Sequence, residues 1–192
     1  MLFISFVLFL FIVISLIWAR LRFFRMNGGT PRLGALLYDA TVATQIIATL
    51  TYMATASGNF LPLLPATICL YALSLGLFWW AILTAKGLDF AFSDSVGNIV
   101  TTGPFRFVRH PFYTSYMLVW IGNSLLFDSL ILWITLAYLM AFYFLSARKE
   151  EKIILQGKQR EIYENYSQHV GMFLPRMKKN GSDQVQDSEQ GK

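Results

Sequence analysis

The chain has 192 residues, of which 55% are hydrophobic and only 14% are charged. A soluble globular domain carries roughly 25% charged residues, so this composition excludes an ordinary water-soluble fold. The apolar residues come in blocks of about 17 to 25, the length needed to cross a ~30 Å hydrocarbon core at ~1.5 Å of rise per residue. We therefore predict an all-α integral membrane protein with about five transmembrane helices.

The first three predicted spans make up an N-terminal region, residues 1–87. The first span covers approximately Leu2 to Trp18, and it has neither the basic n-region nor the small-residue cleavage site of a secretory signal. The second covers about Leu36 to Ala56, and its many threonines predict that one side packs against other helices. The third covers about Leu61 to Ala85 and contains Cys69, the only cysteine. No disulfide and no metal site is therefore predicted.

Two further spans are predicted within a second region, residues 88–175. A polar loop leads to a fourth span, which begins at Pro111, where proline suits the first helical turn, and runs to about Phe127. A tight turn near Asp128 joins it to a fifth span that ends near Ala147. These two spans are thus expected to form an antiparallel hairpin.

The chain turns charged after the fifth span. Glu150 to Val170 is predicted to form one or two amphipathic helices at the membrane surface, and residues 176–192 a disordered polar tail. In the five-span topology every lysine and arginine falls on one side of the bilayer. The positive-inside rule makes that side cytoplasmic, with the N-terminus outside and the C-terminus inside. A bacterial inner membrane or the endoplasmic reticulum is the expected location.

One sequence motif spans the loop and the start of the fourth span. From Gly103 to Tyr113 the chain reads GPFRFVRHPFY, Glu150 and Glu151 follow the fifth span, and the tail ends in Phe173-Leu174-Pro175. These stretches, together with the hairpin, resemble the isoprenylcysteine carboxyl methyltransferase family and its prokaryotic relatives. That family combines a Gly-Pro-aromatic-Arg-aromatic-x-Arg-His-Pro-x-Tyr run with a downstream Glu-Glu pair and a tail ending in Phe-x-Pro.

The resemblance implies a membrane methyltransferase whose cytoplasmic end and C-terminal segment enclose S-adenosylmethionine, while a lipophilic acceptor enters from the bilayer. It implies cofactor-binding and catalytic roles for two sets of residues. The cofactor-binding set is Arg106, Arg109, His110, Tyr113, Glu150 and Glu151. The catalytic set is Glu151 and Arg148.

The chemistry of these residues agrees with those roles. An arginine in the loop can pair with the cofactor's carboxylate through two parallel hydrogen bonds. His110 precedes a helix N-terminus, which favours anionic groups. Tyr113 and Tyr116 share its helix face, where their rings can hold adenine or a sulfonium. Glutamates at the end of a helix are disfavoured by its dipole unless a ligand or arginine needs them.

Simpler interpretations exist for each residue type. The arginines are also typical lipid-headgroup anchors, the Glu-Glu pair is typical of a solvated helix start, and Tyr163 and Tyr166 are typical interface residues. The order and spacing of the whole motif favour the functional interpretation. One position departs from the family: members that methylate prenylcysteine carboxylates carry an arginine four residues before the Glu-Glu pair, where this chain has Ser146.

The acceptor is left open by the sequence. A carboxylate needs no general base, whereas an amine or thiol would need a proton removed, with Glu151 or His110 as candidates. Candidate acceptors are an isoprenylcysteine-like carboxylate, a phospholipid amine, or a small thiol. An NADPH-dependent lipid reductase is the alternative enzyme, disfavoured because no glycine-rich phosphate loop is visible. A non-catalytic membrane protein, either a small transporter or an assembly partner, is a further alternative, and ion-coupled transport is disfavoured because the spans lack mid-bilayer charges. No nucleic-acid or protein partner is predicted.

Overall fold

The computed structural model describes residues 1–22, 32–55, 61–85 and 99–176, and within these ranges the chain is helical with no strand. The predicted all-α class is confirmed. Residues 88–98 of the predicted polar loop lie outside the described residues. The predicted tail lies outside them from residue 177 onward. The described part contains six α-helices: α1 (Leu2–Arg22), α2 (Arg32–Thr55), α3 (Leu64–Thr84), α4 (Pro111–Phe127), α5 (Leu130–Gln156) and α6 (Arg160–His169).

Four of these helices are long and apolar enough to cross a membrane, namely α1, α2, α3 and α5. Large apolar side chains such as Phe3, Phe11 and Ile14 on α1 are exposed, as expected for a lipid-facing surface. Helix α4 has 17 residues and is flanked by α3 and α5, with ten of its residues buried. At ~1.5 Å per residue it is about 26 Å long. A fifth span at α4, and the orientation of the termini, remain predictions.

The α4–α5 hairpin forms as the sequence predicts. Pro111 occupies the first turn of α4, where its missing N–H costs no helical hydrogen bond. The helix ends at Asp128, which adopts a left-handed conformation with φ 42°, and α5 begins two residues later. The Trp133 indole donates to the Asp128 carboxylate at 2.8 Å, which fixes this turn.

Helix α5 is longer than predicted. It does not end near Ala147 but continues without a break to Gln156, and Gly157 follows it. The reason is local, because the charged residues after Ala147 are strong helix formers and the next glycine or proline is Gly157. The Glu-Glu pair therefore lies inside α5, more than a turn before its end. The predicted surface helix is reduced to α6.

Buried polar side chains join four helices in the apolar interior. The Gln45 amide of α2 donates to the carbonyl of Leu132 at 3.0 Å and to the hydroxyl of Thr135 at 2.8 Å, both on α5. It accepts from Asn123 of α4 at 3.4 Å, and Asn123 accepts from the Tyr71 hydroxyl of α3 at 2.6 Å. This network explains part of the unusual polarity of the second span.

The Gln45→Leu substitution is expected to lower the free energy of unfolding by roughly 1–2 kcal/mol, because it leaves the Asn123 amide without its acceptor. Unfolding in mixed detergent micelles, followed by circular dichroism, would measure the change. The control is Thr44→Ala, since among the described residues the Thr44 hydroxyl bonds only to the Ala40 carbonyl of its own helix. A Gln45→Leu protein as stable as the control would show that the network contributes little.

Candidate active site

The segment that leads into α4 is fixed by contacts with the end of the described chain. A short 3₁₀ turn covers Gly103–Arg106, and Gly103 has φ 57°, a left-handed conformation that favours glycine. The backbone N–H groups of Arg109 and His110 then donate to the carbonyls of Gly171 and Met172, at 2.8 and 3.1 Å. The residues after α6 thus fold back onto the N-terminus of α4.

Helix α6 is held against the same segment. The Tyr166 hydroxyl donates to the carbonyl of Phe105 at 2.5 Å, and burial raises the pKa of Tyr166 to about 12, so this hydroxyl stays a neutral donor. Tyr163 is buried, with 4% of its surface exposed. Tyr163 therefore packs inside the protein and Tyr166 is half-buried against Phe105, while their placement at the membrane interface stays a prediction. The C-terminal segment encloses the start of α4 because of these contacts.

An ion pair links this segment to α5. The Arg109 guanidinium donates through Nε to Oε1 of Glu151 at 2.8 Å, and the two side chains are 11% and 12% exposed. Its Nη1 atom donates to the carbonyls of Ser167 and Val170, at 3.0 and 2.5 Å. Burial disfavours the charged guanidinium, but the hydrogen bond and charge of Glu151 outweigh it and raise the pKa of Arg109. Arg109 therefore bridges α5 to the carbonyl end of α6.

His110 lies between the two glutamates. Its Nε2 is 3.1 Å from Oε1 of Glu151 and its Nδ1 is 3.5 Å from Oε2 of Glu150. The imidazole is 10% exposed and stacks on the Tyr113 ring with centroids 5.7 Å apart. The Tyr113 hydroxyl donates to Oε1 of Glu150 at 2.5 Å. Among Arg109, His110, Glu150 and Glu151, the Glu150 side chain is the most exposed, at 36%.

The structure brings together five of the predicted site residues, which we call the site cluster: Arg109, His110, Tyr113, Glu150 and Glu151. It places two elsewhere. Arg106 is exposed with its guanidinium 5.0 Å from the centroid of Phe107, and Arg148 is exposed with its guanidinium 5.8 Å from that of Phe144. In the described part of the chain neither makes an ion pair. Their assigned roles stay predictions.

Tyr143 belongs to the surroundings of the site cluster and was not predicted. It is 1% exposed, and its ring stacks on that of Tyr113 with centroids 5.4 Å apart. A helical signal was available, because Tyr143 precedes Glu150 by seven residues and so lies on the same face of α5. By contrast, no pattern in the sequence indicated that the carbonyls of Ser167 and Val170 would accept hydrogen bonds from Arg109.

An apolar cavity adjoins the site cluster. It has a volume of about 220 Å³ and lies between α1, α2, α4 and α5. Tyr113 lines it and also contacts Glu150, so the cavity and the cluster meet at this side chain. Ser146, the position where the sequence departs from the resembled family, lines the cavity as well. An apolar compartment thus meets a charged one near the predicted cytoplasmic end of the bundle.

This geometry defines a membrane-embedded helical protein with a buried polar site at one end. The family model described as phospholipid methyltransferase matches residues 66–163, which is half of the chain, and the protein therefore belongs to that family. The predicted resemblance is confirmed at this level, and the protein is a membrane methyltransferase. No curated protein and no solved structure matches the chain.

Proposed function

We propose that the protein transfers a methyl group from S-adenosylmethionine to the polar end of a lipophilic acceptor. The observation that supports this most is the contact of the site cluster with the apolar cavity at Tyr113. A charged, water-soluble donor and a lipophilic acceptor need two such compartments, and these must share a boundary where the reacting atoms meet.

The residues of the site cluster fit the proposed donor. Glu150 offers a partly exposed carboxylate to a cationic group, and the aromatic ring of Tyr113 beside it favours a cation as well. Arg109, at the N-terminus of α4, is bonded to Glu151 and to carbonyls of α6, so it positions these elements around the donor. When bound, S-adenosylmethionine supplies a methyl group on a positively charged sulfur.

The role of the chain in such a transfer is orientation and exclusion of water. Holding two reactants in line is worth roughly 7–11 kcal/mol of the barrier. The Arg109–Glu151 pair and the return of the chain at Gly171 fix the start of α4, and with it the position of Tyr113. These residues set the geometry and need not exchange protons.

A carboxylate is the acceptor that this site supports best. Among the described residues, both candidate bases are already engaged, because Glu151 pairs with Arg109 and the His110 imidazole lies 3.1 Å from the same carboxylate. An amine or thiol acceptor needs a base to remove a proton, whereas a carboxylate is a nucleophile without one. The proposed substrate is therefore a lipophilic carboxylate, of which an isoprenylcysteine is one example.

Ligand-induced thermal stabilisation of the purified full-length protein in detergent would test the donor. We expect S-adenosylmethionine and its demethylated product to raise the melting temperature and NADPH to leave it unchanged. Transfer of a radiolabelled methyl group to a prenylcysteine, to phosphatidylethanolamine and to an alkanethiol would then test the acceptor. Stabilisation by NADPH alone would overturn the proposal, and labelling of the lipid amine alone would overturn the carboxylate.

A further inference from the structure

His110 faces a carboxylate with each of its two ring nitrogens. Its Nε2 atom is 3.1 Å from Oε1 of Glu151, its Nδ1 atom is 3.5 Å from Oε2 of Glu150, and only 10% of its side chain is exposed. A neutral imidazole has one N–H donor and one acceptor nitrogen, so one lone pair would point at a negatively charged oxygen. An imidazolium carries an N–H on both nitrogens and therefore suits both contacts.

The charge balance of the site cluster is a second reason for a proton on this ring. Arg109 carries one positive charge, whereas Glu150 and Glu151 carry two negative charges. With a neutral imidazole the cluster therefore keeps an uncompensated negative charge beside apolar helices, and burial disfavours such a charge. An imidazolium at His110 brings the net charge of the cluster to zero.

The other described neighbours of His110 do not change this balance. The uncharged ring of Tyr113 on α4 stacks on the imidazole, and the ring of Phe173, after α6, has its centroid 5.9 Å away. Tyr163 of α6 lies beside the Arg109–Glu151 pair. The N-terminal dipole of α4 opposes a positive charge on His110, but it acts through partial charges, whereas the two glutamates each carry a full one. The glutamates of α5 therefore determine the charge of the ring.

A bound donor changes the balance at Glu150. S-adenosylmethionine brings a positively charged sulfur, and Glu150, with 36% of its side chain exposed, is the carboxylate that this charge can approach. A sulfonium there repels an imidazolium at His110. Glu150 also makes the longer of the two contacts to the ring, so the Nδ1 proton is held less firmly than the Nε2 proton.

From these observations we propose that an imidazolium at His110 neutralises the site cluster before the donor binds, and that binding of S-adenosylmethionine releases its Nδ1 proton. The inference rests on the proposed methyl transfer and adds a proton-coupled binding step to it. The proton passes to water or buffer, the Nε2–H group keeps its bond to Glu151, and the sulfonium takes over the positive charge. Because a proton is released, the affinity for the donor rises with pH.

Calorimetric titration of the full-length protein in detergent counts the released proton. The heat of binding is measured at about pH 6.5, in the range where histidine changes charge, in both phosphate and Tris, which take up a proton with different heats. We expect the donor to release roughly 0.5–1 proton more than its demethylated product does. The product is the reference because its sulfur is neutral while its amino and carboxylate groups are those of the donor. Equal proton release by the two ligands would overturn the proposal.

Substitution of the two histidines identifies the group that loses the proton. The chain has only His110 and His169, and His169 is exposed at the end of α6, so His110→Asn and His169→Asn form a matched pair. We expect the difference in proton release between donor and product to disappear in His110→Asn and to persist in His169→Asn. A difference that persists in His110→Asn would assign the proton to another group and overturn the role of His110.

A direct measurement serves where His110→Asn does not fold or bind the donor. In His169→Asn the remaining histidine is His110, so NMR of the histidine-labelled protein reports the charge of this ring alone. We expect the ring signals to move from imidazolium to neutral imidazole when S-adenosylmethionine is added, and to stay at imidazolium with the product. A ring that keeps one charge state throughout would contradict the proposal.

The inference and the proposed function fail in different ways. If the wild-type protein binds no S-adenosylmethionine, the proposed function is wrong. If the protein binds the donor and transfers its methyl group, but the donor releases no more protons than the product does, the proposed function stands and the release of a proton from His110 is wrong.

Discussion

Arg109→Ala is expected to abolish stabilisation by S-adenosylmethionine and to lower the free energy of unfolding by roughly 3 kcal/mol. The guanidinium is 11% exposed and holds both Glu151 and the carbonyl end of α6. Removing one member of a buried ion pair leaves the other charge uncompensated, which typically costs 3–5 kcal/mol. His110 remains near Glu151 and offsets part of this cost.

The matched control is Arg106→Ala. Both arginines belong to the same motif, but Arg106 is exposed over the Phe107 ring, and we expect its loss to change donor affinity less than twofold. Thermal unfolding with and without donor separates stability from binding in both variants. Equal loss of donor binding in the two variants would restore the interpretation that both contact the donor. Unchanged binding in Arg109→Ala would remove Arg109 from the site.

The sequence predicted those parts of the fold that depend on local signals. Apolar blocks located α1, α2, α3 and α5, Pro111 located the start of α4, and Asp128 the turn into α5. The length of α5 was predicted wrongly because hydropathy falls at Ala147 while helix propensity does not. Loss of apolar character marks a membrane boundary, and it ends a helix only where a breaking residue such as Gly157 follows.

The candidate site was predicted in its residue types and only partly in its geometry. Arg109, His110 and the glutamates come together because the α4–α5 hairpin returns the end of α5 to the start of α4. Arg106 does not join them, since a 3₁₀ turn ends at that residue and the chain then extends along Gly171. The contact between the C-terminal segment and the start of α4 is a tertiary contact, which the periodicity of the sequence does not predict.

The engagement of Arg109 also changes how the site attracts a ligand. Its Nε and Nη1 atoms are already bonded to protein acceptors, so it acts mainly by positioning Glu151 and α6. The backbone N–H groups of Arg109 and His110 are likewise bonded to the carbonyls after α6. Of the charged groups in the site cluster, Glu150 is therefore the one most accessible to a donor.

Glu150→Gln is expected to weaken binding of S-adenosylmethionine by roughly 10–100-fold, the value of a hydrogen bond or contact to a charged group. The substitution keeps the size of the side chain and leaves an amide oxygen to accept from Tyr113, so it removes little besides the negative charge. Isothermal titration of the full-length protein in detergent would measure the affinity. Glu161→Gln is the control, because Glu161 is exposed on α6, outside the site cluster.

The demethylated product makes this prediction specific, because its sulfur is neutral. Tyr113 places Glu150 at the boundary with the cavity, where the methyl group must leave, so the carboxylate is expected to face the sulfonium rather than a distant part of the donor. Affinity for the product should therefore fall at least several-fold less than affinity for the donor in Glu150→Gln. If the substitution weakens the binding of donor and product equally, Glu150 contacts a part of the molecule that the two ligands have in common. If the affinity for both ligands is unchanged, Glu150 does not belong to the binding site.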